Sequence, residues 1–466
     1  MLMVIVLALS SGALSQGARV HSVCDISHEF TFYMDGRFWA QYIGEAGGAD
    51  ARNWGTLHKL NLDDANLLVL SSGATPIEYD PRSIEHVRAF AETGGAAVVL
   101  ADCVGYAPEQ PFHIQRLAQA FGATFTGEKA EEPLSADPSL GAEKLEFYGG
   151  GTLALEGEWT VLIRDAREQP VLARRPVGNG FVLVGIRGLF GHQPDAKDPI
   201  NAQWVKPLLQ DLVRNKPVDP ARPPQGQWAE LTKAIGPLTL EYTEGTEYIA
   251  DAIAAEYFIV KDELMTVTGV PPSPGTLTAL LMLPTGGGGF SSGARIGIGA
   301  WWGGFPENRY PMIELIGHEA GHSWVLPYPE PVWNEPIATY LGIQVGKRLG
   351  MPEAQQTLER TIARAREHDP EMDKLDLLAP DAPNAVVWGK SFWLFEQLEA
   401  THGPGAMAKY FQAKRRLLQP GRERYSLDDC VAVWSNAVGE DLFPWFRGLG
   451  ITVDPARTDV ALPAKP

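Results

Sequence analysis

Residues 314–325 read ELIGHEAGHSWV, inside the longer run YPMIELIGHEAGHSWVL (310–326). Met312, Leu315, Ile316, Ala320 and Trp324 recur at helical spacing, so the run reads as an α-helix with a buried stripe. His318 and His322 then lie one turn apart on a common face, where both imidazoles can point at one site. Glu319 sits about 100° round the helix from His318. Two imidazole nitrogens so placed supply two corners of a tetrahedral zinc site; a third ligand must come from elsewhere, leaving the fourth corner for water. Glu319 is near enough to take a proton from that water. Gly317 and Gly321 each cost about 1 kcal/mol relative to Ala in a helix interior. Something is expected to offset that cost, such as close approach of a strand or a substrate.

The third ligand is sought downstream, in YPEPVWNEPIATYLG (328–342). Asn334 is a good N-cap, Glu335 falls in the first turn, and Pro336 is tolerated there. A second helix therefore starts with a glutamate, close enough in sequence to His322 for a short loop to fold it back beside the first. Glu330 is the alternative, but it lies in a proline-rich turn. Glu335 is preferred.

Composition bounds what surrounds this motif. A chain of 466 residues is expected to form two or three domains, and 45% hydrophobic with 21% charged residues suits folded cores. A formal net charge of −18 argues against a nucleic-acid partner and discourages docking on anionic lipid. The first residues, MLMVIVLALSSGALSQGA, place an apolar run before small residues. That pattern reads as a signal peptide over 1–17 and a secreted, periplasmic or cell-surface protein, although no Lys or Arg precedes the run. The competing reading is a buried first strand. No later segment is apolar enough for a membrane span. Three cysteines, Cys24, Cys103 and Cys430, allow at most one disulfide.

The proline-rich NKPVDPARPPQGQ (215–227) reads as a stiff linker over 216–227, separating domains at 20–215 and 228–455. Before it, NLLVLSSG (66–73) and AAVVLADC (96–103) read as buried parallel strands. RSIEHVRAFAETGG (82–95) and FHIQRLAQAFGATF (112–125) read as amphipathic helices, and QPVLARRPVGNGFVLVGIRG (169–188) as a hairpin. The expected fold is a doubly wound, flavodoxin-like α/β sheet. After the linker, TLTALLMLP and GARIGIGAWWGG are strand-like, PTGGGGFSSG between them reads as a flexible loop, and the chain from Tyr310 is almost all helix. The whole is a multidomain α/β plus α+β protein.

The strand–helix order and the VGNGFVLVG hairpin of the first domain resemble glutamine-amidotransferase-like and trehalose-utilisation-like modules. Working members carry a cysteine in a G-x-C-x-G elbow served by a histidine. Here the nearest match is ADCVG (101–105), with Ala for the first Gly and no H-x-E following. A thiol without a base is a poor nucleophile. The domain is expected to be non-catalytic.

H-E-x-x-H with a glutamate opening a second helix resembles the gluzincin metallopeptidases. The H-E-x-G-H form and the short gap are most similar to the enhancin-like, mucin-targeting peptidases. The resemblance covers Trp228 to about Pro455 and implies a thermolysin-like catalytic domain with a helical subdomain. It implies that His318, His322 and Glu335 hold one Zn2+ per chain and that Glu319 is the general base. GIGAWWGG (297–304) would be the edge strand above the site. Many gluzincins place a Tyr or His from the helical subdomain on the oxyanion. The position most like that tyrosine is Trp388, which leaves Tyr340, Tyr328 and His402 as candidates, with Tyr340 carried as the catalytic partner.

Trp301 and Trp302, with Trp333, Trp388 and Trp393, fall around the expected cleft. Aromatic faces can stack on sugars, and core packing is the competing role for each. The expected function is that of a secreted zinc endopeptidase acting on protein or glycoprotein. The alternatives are a catalytically weak binding or scaffolding protein of the same fold, and a thiol hydrolase centred on Cys103.

Overall fold

The computed structural model describes residues 18–27, 32–72, 79–101, 113–190, 201–227, 229–244, 246–283, 288–330, 332–422 and 424–463. The expected signal peptide and Cys103 lie outside these residues. The chain divides into two units, Met1–Trp228 and Ala229–Pro466. Both mix helices with sheet, and among the described residues no helix is long and apolar enough to cross a membrane.

In the first unit the order is β1 (His21–Asp25), α1 (Phe32–Glu45), β2 (Ala49–Asn53), β3 (Leu67–Ser72), α2 (Pro81–Glu92), β4 (Ala96–Ala101) and α3 (His113–Gln119). There follow β5 (Ala123–Lys129), β6 (Ser135–Ala136), β7 (Gly151–Leu155), β8 (Thr160–Arg164), β9 (Pro170–Val177), β10 (Gly180–Ile186) and α4 (Ala202–Leu212). One sheet runs β2-β1-β3-β4-β10-β9-β8-β6. Its β2-to-β10 half is parallel and the remainder antiparallel. The apolar runs explain the parallel half, because β4 is buried along its whole length, as a strand covered on both faces must be. α2 starts where Asp80 accepts the Arg82 and Ser83 amides, and it buries Ile84, Val87, Phe90 and Ala91.

Two expectations change here. The helix expected over 112–125 ends at Gln119. Gly122 turns the chain at φ +82°, and Ala123–Lys129 becomes a strand paired with β7. The segment expected as a linker is bound to the first unit at its end. Gln227 accepts the Trp54 amide at 2.7 Å, and a Cβ on Gly226 would lie 1.7 Å from the Arg52 carbonyl oxygen. Cys24 and Cys430 are buried and free.

The second unit begins with β11 (Leu231–Ile235), β12 (Leu238–Tyr242), α5 (Glu247–Thr268), β13 (Ala279–Leu283), β14 (Gly289–Ser291) and β15 (Arg295–Gly299). Helices complete it: α6 (Arg309–Val325), α7 (Asn334–Arg348), α8 (Pro352–Arg366), α9 (Asn384–His402), α10 (Ala406–Leu417), α11 (Leu427–Val438) and α12 (Phe443–Gly448). The sheet order β11-β12-β13-β15-β14 corrects the edge assignment. The strand of the IGIGAWW run, β15, lies inside the sheet. The edge is β14, formed from part of the glycine-rich stretch expected to be a loop. A Cβ on Gly297 would lie 2.1 Å from the Phe290 ring, so the absence of a side chain there lets β14 pair closely with β15.

Candidate metal centre

α6 is buried on most of its circumference, including Met312, Leu315, Ile316, Ala320 and Trp324. α7 returns antiparallel beside it at very close range. A Cβ on Gly342 would come 2.5 Å from the Glu314 carbonyl oxygen, and one on Gly321 would touch Ala338 at 3.5 Å. The partner that offsets the helix glycines is therefore α7, neither a strand nor a substrate.

That approach carries Glu335, at the start of α7, to the two histidines. Nε2 of His318 and Nε2 of His322 are 3.2 Å apart. Glu335 Oε2 is 3.3 Å from the first and Oε1 is 3.6 Å from the second. Donors bound at 2.0–2.1 Å in a tetrahedron are separated by about 3.3–3.4 Å. The triangle thus has the size of one face of a zinc tetrahedron. Two imidazole nitrogens facing each other beside a carboxylate need a proton or a cation between them. The residues fit a divalent metal.

Glu319 also lies within 4.8 Å of both histidines, measured between ligand-type atoms. Its carboxylate faces β14: a Cβ on Gly289 would stand 2.9 Å from Glu319 Oε1. Burial lifts the Glu319 carboxyl to about 7. Burial and the neighbouring His318 depress His322 to about 4. Burial also opposes a charge on His318, but the Glu335 hydrogen bond and the Glu319 and Glu335 charges outweigh it and raise its pKa. The same His318 contact lowers the pKa of Glu335.

His318 is oriented from behind by Thr339, whose Oγ1 lies 2.8 Å from Nδ1. The sequence reading missed this residue. Its signal was the spacing of four from Glu335, which puts both on one face of α7.

No family model matches this chain, and no curated protein matches it. Solved structures show distant likenesses only. The mmIFT52 N-terminal domain is 15% identical with a TM-score of 0.33, over 42% of this chain and 99% of that one. A mutant M1 zinc metallopeptidase from Deinococcus radiodurans, bound to a Tyr-Ser-Ala substrate, is 14% identical with a TM-score of 0.33. The match covers 50% of this chain and about half, 53%, of that one. An exo-β-1,4-mannosidase, Op5Man5 from Opitutaceae bacterium strain TAV5, is 14% identical at a TM-score of 0.25, over 35% of this chain and 30% of that one. At these scores the likenesses decide neither fold nor activity.

Tyr340, the expected catalytic partner, faces away from the triangle. Tyr340 is buried, and its hydroxyl donates to Glu396 Oε1 at 2.7 Å, beside Gln344 and Lys347. Five residues past Glu335, it points about 140° away round α7. Tyr340 is therefore withdrawn as the oxyanion donor. Tyr328 is buried with the Lys414 ammonium over its ring, and His402 ends α9. Glu330, the rejected ligand, is buried with the Lys414 ammonium and accepts from Tyr410 at 2.8 Å. Trp301 and Trp302 are half-buried, with Trp302 opening a short turn whose ring edge approaches Gly288. Trp333 is core, packed against Phe395 and Phe446.

Proposed function

We propose that this chain is a secreted, zinc-dependent endopeptidase of gluzincin type, acting on protein or glycoprotein substrates through its second unit. The observation that carries the reading is the donor triangle of His318, His322 and Glu335 with Glu319 turned to the adjoining edge strand. Zinc held by those three donors supplies Lewis acidity that acidifies water and polarises a carbonyl. Glu319 takes the proton from the attacking water and returns it to the leaving amine. Its burial keeps it able to do both near neutral pH. β14, at the edge of its sheet, aligns an extended peptide by strand addition, with Trp302 beside Gly288 at its start. The first unit, with its β2-β1-β3-β4-β10 order, is a flavodoxin-like recognition module without catalysis of its own.

The position of Tyr340 favours a second reading, a binding protein of the same fold with little activity, because it leaves the oxyanion role unfilled by the expected residue. One experiment separates the two. Metal content is measured by mass spectrometry for wild type and His322→Ala, and glycoprotein digestion is compared for wild type and Glu319→Gln. One zinc per wild-type chain with cleavage lost in Glu319→Gln supports the peptidase. Zinc without cleavage supports the binding protein, and so does a chain that takes up no zinc, which defeats the peptidase.

A further inference from the structure

Beyond the donor triangle, α6 and α7 continue the same surface for one more turn. Glu314 precedes His318 by one turn on α6, and Thr339 follows Glu335 by one turn on α7. The helices run antiparallel, so these two residues lie on the same side of the triangle, about 5 Å along the helix axes. There they line a cavity of ≈ 360 Å³. α8 contributes Thr357 and Arg364 to its wall, and α9 contributes Trp388 and Phe392. Thr339 joins the two places physically, since it lines the cavity and its hydroxyl lies 2.8 Å from His318 Nδ1.

The chemistry of this wall is specific. Glu314 is half-buried, and among the described residues it makes no ion pair. The Tyr310 hydroxyl and the more distant charges of His318 and Arg360 act on this carboxylate, but they only partly offset the hydration it has lost. Trp388 is half-buried and Phe392 buried, giving the cavity aromatic surface against which a cation is attracted. Thr339 and Thr357 add neutral acceptors. Arg364 is exposed at the rim, where solvent screens its charge. A long side chain ending in a positive charge satisfies all of these groups at once: its stem packs on the aromatics and its head reaches Glu314.

We propose that this cavity is a specificity subsite for a lysine or arginine side chain next to the scissile bond, with Glu314 as its anchor. The proposal rests on the peptidase reading for its role in cleavage, whereas its affinity for a cation stands apart from that reading.

The test uses the full-length, zinc-loaded protein on a proteome-derived peptide mixture, with cleavage sites mapped by mass spectrometry. Lys and Arg are expected to be enriched about tenfold at one position adjoining the cleaved bond, an effect of the size of a cation–π contact plus a partly buried ion pair. Glu314→Gln is expected to abolish that enrichment. Arg364→Glu, a change at an exposed position and so safe for folding, is expected to increase it. Cleavage without a basic preference, or one unchanged in both variants, overturns the subsite and leaves the peptidase reading standing. So does a preference for glycosylated residues that persists in Glu314→Gln. If no peptide is cut, the peptidase reading fails and the cavity is tested directly by saturation-transfer NMR with n-butylguanidinium, using neutral n-butylurea as the control. Binding of the cation alone, lost in Glu314→Gln, sustains the cation site; equal signals from both probes overturn it.

Discussion

A Cβ on Gly317 would lie 2.6 Å from the Cα of Gly342, closer than real Cβ contacts come. Because the obstacle is backbone, the two helices can relieve it only by moving apart. That spacing also sets the distance from Glu335 to the histidines. Gly317→Ala is expected to destabilise the second unit by about 1–3 kcal/mol, as overpacking does, even though Ala favours helix. It is also expected to weaken metal binding, measured by chelator competition. A variant that melts earlier but binds zinc with wild-type affinity would show that the glycine contact does not set the ligand spacing.

His318, Glu319 and His322 were legible because their relation is local: helix geometry fixes it wherever the helix sits. Glu335 was legible in part, since an N-cap pattern announces a helix start, but only the long-range return of α7 brings its carboxylate to 3.3 Å from His318. Tyr340 misled because chemical type says nothing of direction. One position along the helix separates it from Thr339, and that step turns the side chain to Glu396. The edge strand was hidden for a different reason: Gly289–Ser291 has no apolar alternation to read, and its pairing with Ile296–Ile298 is a tertiary fact. The parallel strands of the first unit were easier, because burial on both faces writes itself as an unbroken apolar run.

Thr339 fixes the ring of His318 through one hydrogen bond of 2.8 Å. Such partners set the tautomer and orientation of a ligand, and their loss typically lowers metal affinity about 10–100-fold. Thr339→Val keeps the shape and removes the hydroxyl. It is expected to lower zinc affinity within that range while Thr339→Ser largely retains it. Equal affinities for the Val and Ser variants would mean that packing alone orients His318.

Asp369 supports the helical part of the second unit from within. It is fully buried and accepts the Lys374 and Leu375 amides and the Lys390 ammonium at 3.0–3.1 Å. Burial pushes its carboxyl up, but these donors outweigh burial and hold it below the usual carboxylate range. A depressed folded pKa contributes stability that is present above the unfolded value, about 3.9, and is lost as pH falls through the folded value. Asp369→Asn is therefore expected to cost about 3–5 kcal/mol near neutrality, because it strands the buried Lys390 charge. Its denaturation midpoint should depend less on pH than that of wild type below about pH 4. Parallel pH curves for the two proteins would remove Asp369 from the acid transition.

Gly289 tests the link between the edge strand and the base. A Cβ there would stand 2.8 Å from Glu319 Cγ and 2.7 Å from the Gly297 carbonyl oxygen, so neither the strand nor the carboxylate can stay in place. The metal donors are untouched by the change. Gly289→Ala is accordingly expected to keep one zinc per chain and wild-type melting of α6 and α7, while hydrolysis falls at least about tenfold through misplacement of Glu319. Glu319→Gln in the same background should lower the rate little further, since the base is already displaced. If Gly289→Ala cleaves at the wild-type rate, the closeness of β14 to Glu319 has no part in catalysis. If it loses zinc instead, the strand is supporting the ligands, and the division of labour between Glu319 and the His318–His322–Glu335 triangle is drawn in the wrong place.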